Sequence, residues 1–412
     1  MSIFQSFKLI CYFLLIFSFT VLSGCKQGPE WILERPQKTK VKGMPKRKSD
    51  LKSWLIKRHG GDEKGEIEDY GYRAPTEEEL SLLAKSFTLD RHYPKKTKGV
   101  FQPGSHWNRI LIGNYLDELN AMGLNSYSVL INLGINQQGA VVLRDTINRW
   151  NFSVDPWPAV WNRQQSENAI IHTILLAKKA GYAVFLSPDI EPFLQLEPGQ
   201  YLPEHFGRQF EAMALQWAEI AEKYKVEYFA PMAGHAYAMH TSKVSHDKII
   251  KETRDFYNRV IPKVREIYKG KIYFRVSGGA TGLYFLDRAK VAGLADLIGV
   301  EFSLGSGKSK EMETYVAKIT QMAETVSMKH QKPYFIAHFQ INHYPSKMYD
   351  PMGSFYSKGL KALLKTGPNS QGLHFTSYLS GLGVRGTREP GSDAIRGTMA
   401  TDSVRRYFEK LK

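Results

Sequence analysis

KPYFIAHFQ, residues 332 to 340, is the stretch whose reading decides the fold. Tyr334 to Ala337 is apolar and aromatic with no polar alternation, which suits a parallel strand covered on both faces. His338 then falls at the carboxyl end of that strand. A polar residue placed there, after a run that has none, points into whatever pocket the strand ends enclose.

Seven comparable runs accompany it: Gly99 to Gln102, Ser126 to Leu133, Ala183 to Pro188, Glu227 to Pro231, Ile272 to Val276, Asp296 to Phe302 and Gly372 to Ser377. Amphipathic helical stretches lie between them, at Ile110 to Met122, Glu167 to Ala180, Pro203 to Tyr224, Asp247 to Tyr268, Lys310 to Lys329 and Ser354 to Leu364, with Thr401 to Leu411 after the last strand. Strands alternating with helices make a parallel sheet, and eight such units predict closure into a (β/α)8 TIM barrel, an α/β fold. An open dinucleotide-binding sheet is disfavoured, because no Gly-x-Gly-x-x-Gly turn follows an early strand. Ahead of the barrel, Thr76 to Leu89 opens with Thr-Glu-Glu-Glu and sets Leu80, Leu83, Ala84 and Phe87 on one face, the pattern of a capped helix.

The amino-terminal segment has a different character. Lys8 precedes an uncharged apolar run from Leu9 to Val21, too short to cross a bilayer comfortably, and Leu22-Ser23-Gly24-Cys25 follows. This tetrad resembles the lipobox of bacterial lipoproteins, which implies that residues 1–24 are removed and that Cys25 is acylated, for example by palmitate, and anchors the chain to a membrane. Lys26 stands where enterobacterial lipoproteins retained in the inner membrane carry aspartate, so the outer membrane is favoured. Cys11 falls in the removed segment, and one remaining thiol can build neither a disulfide framework nor a thiolate metal site. Residues 25–70 form a basic tether: from Lys26 to Arg58 there are 11 Lys/Arg against 3 Asp/Glu. The barrel with its amino-terminal extension occupies 71–412. A formal charge of +16 favours anionic membranes or acidic polymers as partners. An exported chain without a recognisable nucleic-acid motif is not expected to bind nucleic acid.

In a barrel the residues beyond each strand converge on one pocket. They include Gln102, Ser105, His106 and Trp107 in the first unit, Asn132 and Asn136 in the second, and Asp189 and Glu191 in the third. The fourth gives His235, with Tyr237 and His240 behind it, the fifth Arg275 and Ser277, and the sixth Glu301 and Ser303. The seventh gives His338, Gln340 and His343, and the eighth His374, Ser377 and Tyr378. Each has a purely structural alternative: Asp189 as a turn or cap, Arg275 with Glu301 as a buried ion pair, any single histidine as a hydrogen-bonded core residue. Taken together they describe a wet, hydrogen-bonding pocket. Trp107, Trp150, Trp157 and Trp161 crowd the segment between the first strand and the second helix. Aromatic rings stack on the apolar faces of sugars while amides, imidazoles and carboxylates take the hydroxyls, so Trp107, Asn132, Trp157 and Tyr378 are candidate carbohydrate contacts. Arg385, Arg388 and Arg396, in the Gly-rich segment after the eighth strand, would suit an acidic group on such a ligand.

AKKAGYAVFLSPDIE at the third strand, LQWAEIAEKYKVEYFAPM into the fourth, VIPKVREIYKGKIYF into the fifth, ADLIGVEF at the sixth and KPYFIAHF at the seventh resemble the clan A glycoside hydrolases, most nearly the family 113 type of β-mannanase. The resemblance implies a glutamate acid/base after the fourth strand and a glutamate nucleophile at the end of the seventh. Here those positions fall on Gly234 or His235, and on His338. A retaining mechanism needs two carboxyl groups about 5 Å apart. Two classes of function follow. One is a carbohydrate-binding barrel without standard retaining chemistry. The other is a hydrolase with relocated acids, Asp189, Glu191 and Glu301, assisted by His235 or His338. A third alternative has Asp189, His235, His338 and His374 ligating a metal, although no metal-ligand spacing is recognisable and no cofactor is called for.

Overall fold

The computed structural model describes residues 74–102, 105–135, 140–143, 162–190, 203–233, 244–277, 279–304, 311–341, 351–376, 395 and 399–411. Eight strands are parallel: β1 (Thr97–Phe101), β2 (Ser126–Ile135), β4 (Ala183–Ile190), β5 (Tyr228–Phe229), β6 (Lys271–Val276), β7 (Leu297–Leu304), β8 (Tyr334–Ile341) and β9 (Ser370–Thr376). They pair in chain order, and β1 pairs with both β2 and β9, so the sheet closes on itself. The expected eight-stranded barrel is therefore present. A short β3 (Val141–Leu143), which hydrophobic patterning does not signal, lies antiparallel against the end of β2.

Helices α1 (Glu77–Lys85), α2 (Ser105–Asn114), α3 (Leu116–Ala121), α4 (Arg163–Lys179), α5 (Pro203–Lys223), α6 (His246–Ile267), α7 (Ala280–Ala289), α8 (Met312–His330), α9 (Pro351–Thr366) and α10 (Met399–Lys410) accompany the strands. The single helix expected over Ile110 to Met122 is two, broken at Tyr115. Thr76 caps α1 with the predicted box, its hydroxyl accepting from the Glu79 amide while the Glu79 carboxylate accepts from the Thr76 amide. No helix among the described residues is long and apolar enough to cross a membrane.

Strand alternation divides the apolar side chains into two cores. Val184, Leu186, Ile272, Phe274, Ile298, Val300 and Ile336 face the helices, whereas Ala183, Phe185, Tyr228, Tyr273, Leu297, Phe335 and Ala337 fill the barrel. This is why the strands read as unbroken apolar runs: both faces are covered. At the strands' amino ends residues 90–96 form a floor. Glu227, fully buried, is paired there with Lys178 and accepts from the amides of Val184 at 2.8 Å and His92 at 3.2 Å. Tyr93 meets Tyr228 edge-on, with ring centroids 5.5 Å apart, and Lys271 lies over the Tyr93 ring.

Candidate functional site

The carboxyl ends of β4 to β8 bring five residues to one level. Asp189 on β4 bridges to Ala233, and Ala233 bridges to Arg275 on β6. Glu301 on β7 is paired in register with His338 on β8. The strand between Asp189 and Arg275 thus contributes only a methyl group, which leaves room for the guanidinium to reach sideways. Arg275 Nη1 lies 3.5 Å from Asp189 Oδ2 and donates to Ser187 Oγ at 3.3 Å, while Nε lies 2.6 Å from Glu301 Oε1. The Nε–H is not aimed along that short contact, so opposite charge more than a straight hydrogen bond holds Arg275 to Glu301. The buried pair anticipated between these two residues exists, and Asp189 joins it. Asp189 belongs to the strand; it is neither a turn residue nor a helix cap.

His338 reaches this level through an irregularity. Gly299 pairs with Phe335 and Val300 with Ile336, but Glu301 pairs with His338, so one extra residue is accommodated around Ala337. Phe335 and Ala337 face the barrel, and without the bulge His338 would point at the helices. With it, the imidazole meets the Phe101 ring at 5.0 Å between centroids, its Nε2 lies 2.8 Å from Gln340 Oε1, and Phe339 packs outward on Tyr356. Phe101 also lies under the Arg275 guanidinium, 4.6 Å from its centre, a cation–π contact in a desolvated place.

Electrostatics in this cluster follow from burial and from Arg275. Burial alone would raise the Glu301 carboxyl, but the adjacent guanidinium, with His338 and the Ser277 hydroxyl, holds it below the usual carboxylate range. Burial lowers His338, and Arg275 adds to that, against an opposing pull from Glu301; its ring is neutral at pH 7. Burial would lower the Arg275 guanidinium too, but Glu301 and Asp189 more than offset it. The mouth therefore holds an ionised glutamate and a neutral imidazole around one fixed cation.

Other expected positions fare differently. Asn132 is buried at the same level, paired in register with Asp189. His374 is not at the rim. It sits inside the barrel, fully buried, with Nε2 3.0 Å from Ser126 Oγ and Nδ1 2.5 Å from Ser128 Oγ, and its ring packs edge-on against Phe185 and Phe335. Nothing in its own strand distinguishes it from a rim residue. Its depth is set by Ser126 and Ser128 on β2 and by Gly99 on β1, where a Cβ would come within 2.4 Å of the imidazole. Those small polar residues, alternating with apolar ones in β2, are the signal that could have placed it. Among the described residues no three His, Cys, Asp or Glu side chains gather to hold a metal, and His374 is already engaged by two hydroxyls. Trp107 lies in α2. Cys25, Trp157, Glu191, His235, Tyr378, Arg385, Arg388 and Arg396 fall outside the described residues, as does the fourth-strand position on Gly234 or His235.

No protein-family profile matches the chain, and no curated protein matches it by sequence. Solved structures do match it by shape. A GH113 β-1,4-mannanase in complex form superimposes with a TM-score of 0.52 at 13% identity, over 77% of this chain and 100% of that one. A second GH113 β-1,4-mannanase structure gives 0.51 at 14% identity, over 77% and 98%. AaManA, the GH113 β-mannanase of Alicyclobacillus acidocaldarius, gives 0.50 at 17% identity, over 79% and 100%. With so few identical residues the likeness speaks to architecture, and there it agrees with the sequence: the chain is a (β/α)8 barrel of the kind on which these glycosidases are built.

Proposed function

We propose that this chain is an envelope lipoprotein, anchored through acylated Cys25, whose barrel mouth binds a carbohydrate without turning it over by the retaining mechanism. The observation that carries the second half is the position of Arg275 between Asp189 and Glu301, the relocated acids within the described residues. A general acid must be protonated near its working pH, which requires a carboxyl pushed upward by apolar or like-charged surroundings. Glu301 is pushed the other way. An ionised Glu301 could serve as a base or nucleophile, but its charge is already spoken for by Arg275. His338, at the position where the resemblance expects a nucleophile, is a half-buried imidazole, neutral at pH 7 and hydrogen-bonded to Gln340. A ring of carboxylate, amide and imidazole groups is well suited to sugar hydroxyls.

The ligand class suggested by the mannanase-like barrel is a β-1,4-linked oligosaccharide, with manno-oligosaccharides the first to try. The test is calorimetric titration of such oligosaccharides beside incubation with aryl glycosides and activated fluoro-sugars. Expected are binding, no covalent adduct and little or no aglycone release. Binding should weaken in Trp107→Ala or Trp157→Ala, by on the order of tenfold for a lost stacking contact. A fluoro-sugar adduct on any side chain, or glycoside cleavage abolished by Glu301→Gln, overturns the non-hydrolytic assignment.

A further inference from the structure

On the outer wall of the barrel, away from the mouth, a cleft of about 500 Å³ opens between the amino half of α6 and the carboxyl ends of α7 and α8. Five basic side chains line it, Lys251, Arg254, Arg288, Lys290 and Lys329, against two acidic ones, Asp247 and Asp287. The balance is 5 − 2 = 3 positive charges, and Asp255, paired with Lys251 just outside, lowers it to 2. Asp287 gives no relief to the rest, because both its oxygens accept from Lys329, at 2.7 and 2.9 Å, and one lies 2.9 Å from His330 Nε2. Arg254 is held by the uncharged carbonyls of Ala289, at 3.1 Å, and Arg288, at 3.4 Å, which orient its guanidinium without neutralising it. The side chains of Arg288 and Lys290 are exposed and have no ion pair or hydrogen bond among the described residues.

An aromatic ring accompanies these charges. Tyr284, 41% exposed, lies one turn before Arg288 on the same face of α7 and meets His246, at the start of α6, with ring centroids 6.1 Å apart. It is one of the four large hydrophobic side chains exposed on the described surface, the others being Leu82, Tyr93 and Met328. Cations beside an exposed tyrosine, apolar in its ring and polar at its tip, match the headgroup level of a lipid surface, where phosphates meet the first methylenes of the acyl chains.

We propose that this cleft, with Tyr284 beside it, forms a docking surface for anionic phospholipid headgroups, laying the helical wall of the barrel against a membrane. The contact is separate from the acyl anchor and from the sugar site, so either could fail without affecting it. The test uses full-length chain carrying Cys25→Ser, to exclude acylation, sedimented with phosphatidylcholine vesicles with and without 30% phosphatidylglycerol. Neutral vesicles measure whatever the apolar amino-terminal run contributes; the increment on adding phosphatidylglycerol measures charge. Each basic group at an anionic leaflet contributes roughly fivefold in affinity, so R288E/K290E should cut the increment by about twentyfold or more, and R288Q/K290Q by less. Reversing Lys46, Arg47 and Lys48 in the tether should leave the cleft-dependent part in place. Raising the salt should weaken the wild-type increment far more than that of R288E/K290E. An unchanged increment in a folded R288E/K290E variant, verified by its circular dichroism melt, overturns the proposal. So does cleft-dependent binding of a soluble polyuronate without vesicle binding, which would make the occupant an acidic glycan.

Discussion

At the residue scale, His374 shows how a buried imidazole makes stability depend on pH. Burial, with Arg275 adding to it, pushes this histidine down to about 3, so the folded protein keeps it neutral where an unfolded chain would protonate it. Between the ordinary histidine value of about 6.5 and this lowered one the unfolded state binds the extra proton, so stability must fall as pH falls. The loss attributable to His374 is about 2 kcal/mol by pH 5. His338, also lowered by burial, adds to it in the same direction. Glu301 acts only further down: its contribution is present above the ordinary carboxylate value and is lost as pH falls through its depressed one. His374→Gln should therefore flatten, without abolishing, the fall of the urea midpoint between pH 6.5 and 5; a variant keeping the full wild-type slope would refute this assignment. Asp189, Arg275, Glu301 and His338 could be found from sequence because each ends an apolar run, and strand ends in a barrel meet. His374 was misplaced because its level is fixed by residues far away in the chain, Gly99, Ser126 and Ser128, and a single strand's pattern carries no such information.

At the scale of elements, the strands were legible because burial on both faces writes itself as an uninterrupted apolar run, whereas features that depend on partner strands were not. The bulge at Ala337 is one: nothing in KPYFIAHFQ marks the change of face, yet it decides that His338 looks inward and Phe339 outward. Helix α7 was missed because its cap is Gly279, which supplies no side-chain acceptor, at the end of a Ser-Gly-Gly run that reads as loop. Packing between elements gives a second prediction. A methyl group at Gly99 on β1 would sit 2.4 and 2.5 Å from ring atoms of His374 on β9 and 2.7 Å from Ser126 Oγ on β2. Both neighbours are fully buried and the ring is wedged between aromatics, so neither can step aside. Gly99→Ala should cost about 1–3 kcal/mol, measured by urea unfolding, the usual range for an overpacked core. His374→Ala should recover part of that loss in the double variant, and strictly additive effects would show that the clash is relieved elsewhere.

For the whole molecule, the two ends of the barrel hold different chemistry for different reasons. Both bury an acid beside a base, but at the floor Glu227 is saturated by Lys178 and two amides with no exposed face, while at the mouth Asp189 remains partly exposed. In barrels the amino-terminal face serves stability and the carboxyl-terminal face serves ligands. Glu227→Gln should strand Lys178, already lowered by burial, and cost about 3–5 kcal/mol while leaving sugar affinity unchanged in the protein that still folds. A melting temperature equal to wild type would show that Lys178 has another counter-charge. The proposed anchor rests on signals that depend on no fold at all: the charge of Lys8, the length of the apolar run after it and the Leu-Ser-Gly-Cys tetrad ending at Cys25. Acyl chains contribute about 0.8 kcal/mol for each buried methylene, so two or more on Cys25 would outweigh any contact made by the basic tether. Cys25→Ser removes the thiol through which the proposed anchor would be attached in a chain cleaved after Gly24. In a bacterial host the variant should keep its apolar segment or appear in the soluble fraction, and labelled palmitate should enter the wild-type chain but not the variant. A variant that is processed to wild-type length and still partitions into the detergent phase would mean that the chain is held at the membrane by something other than this cysteine.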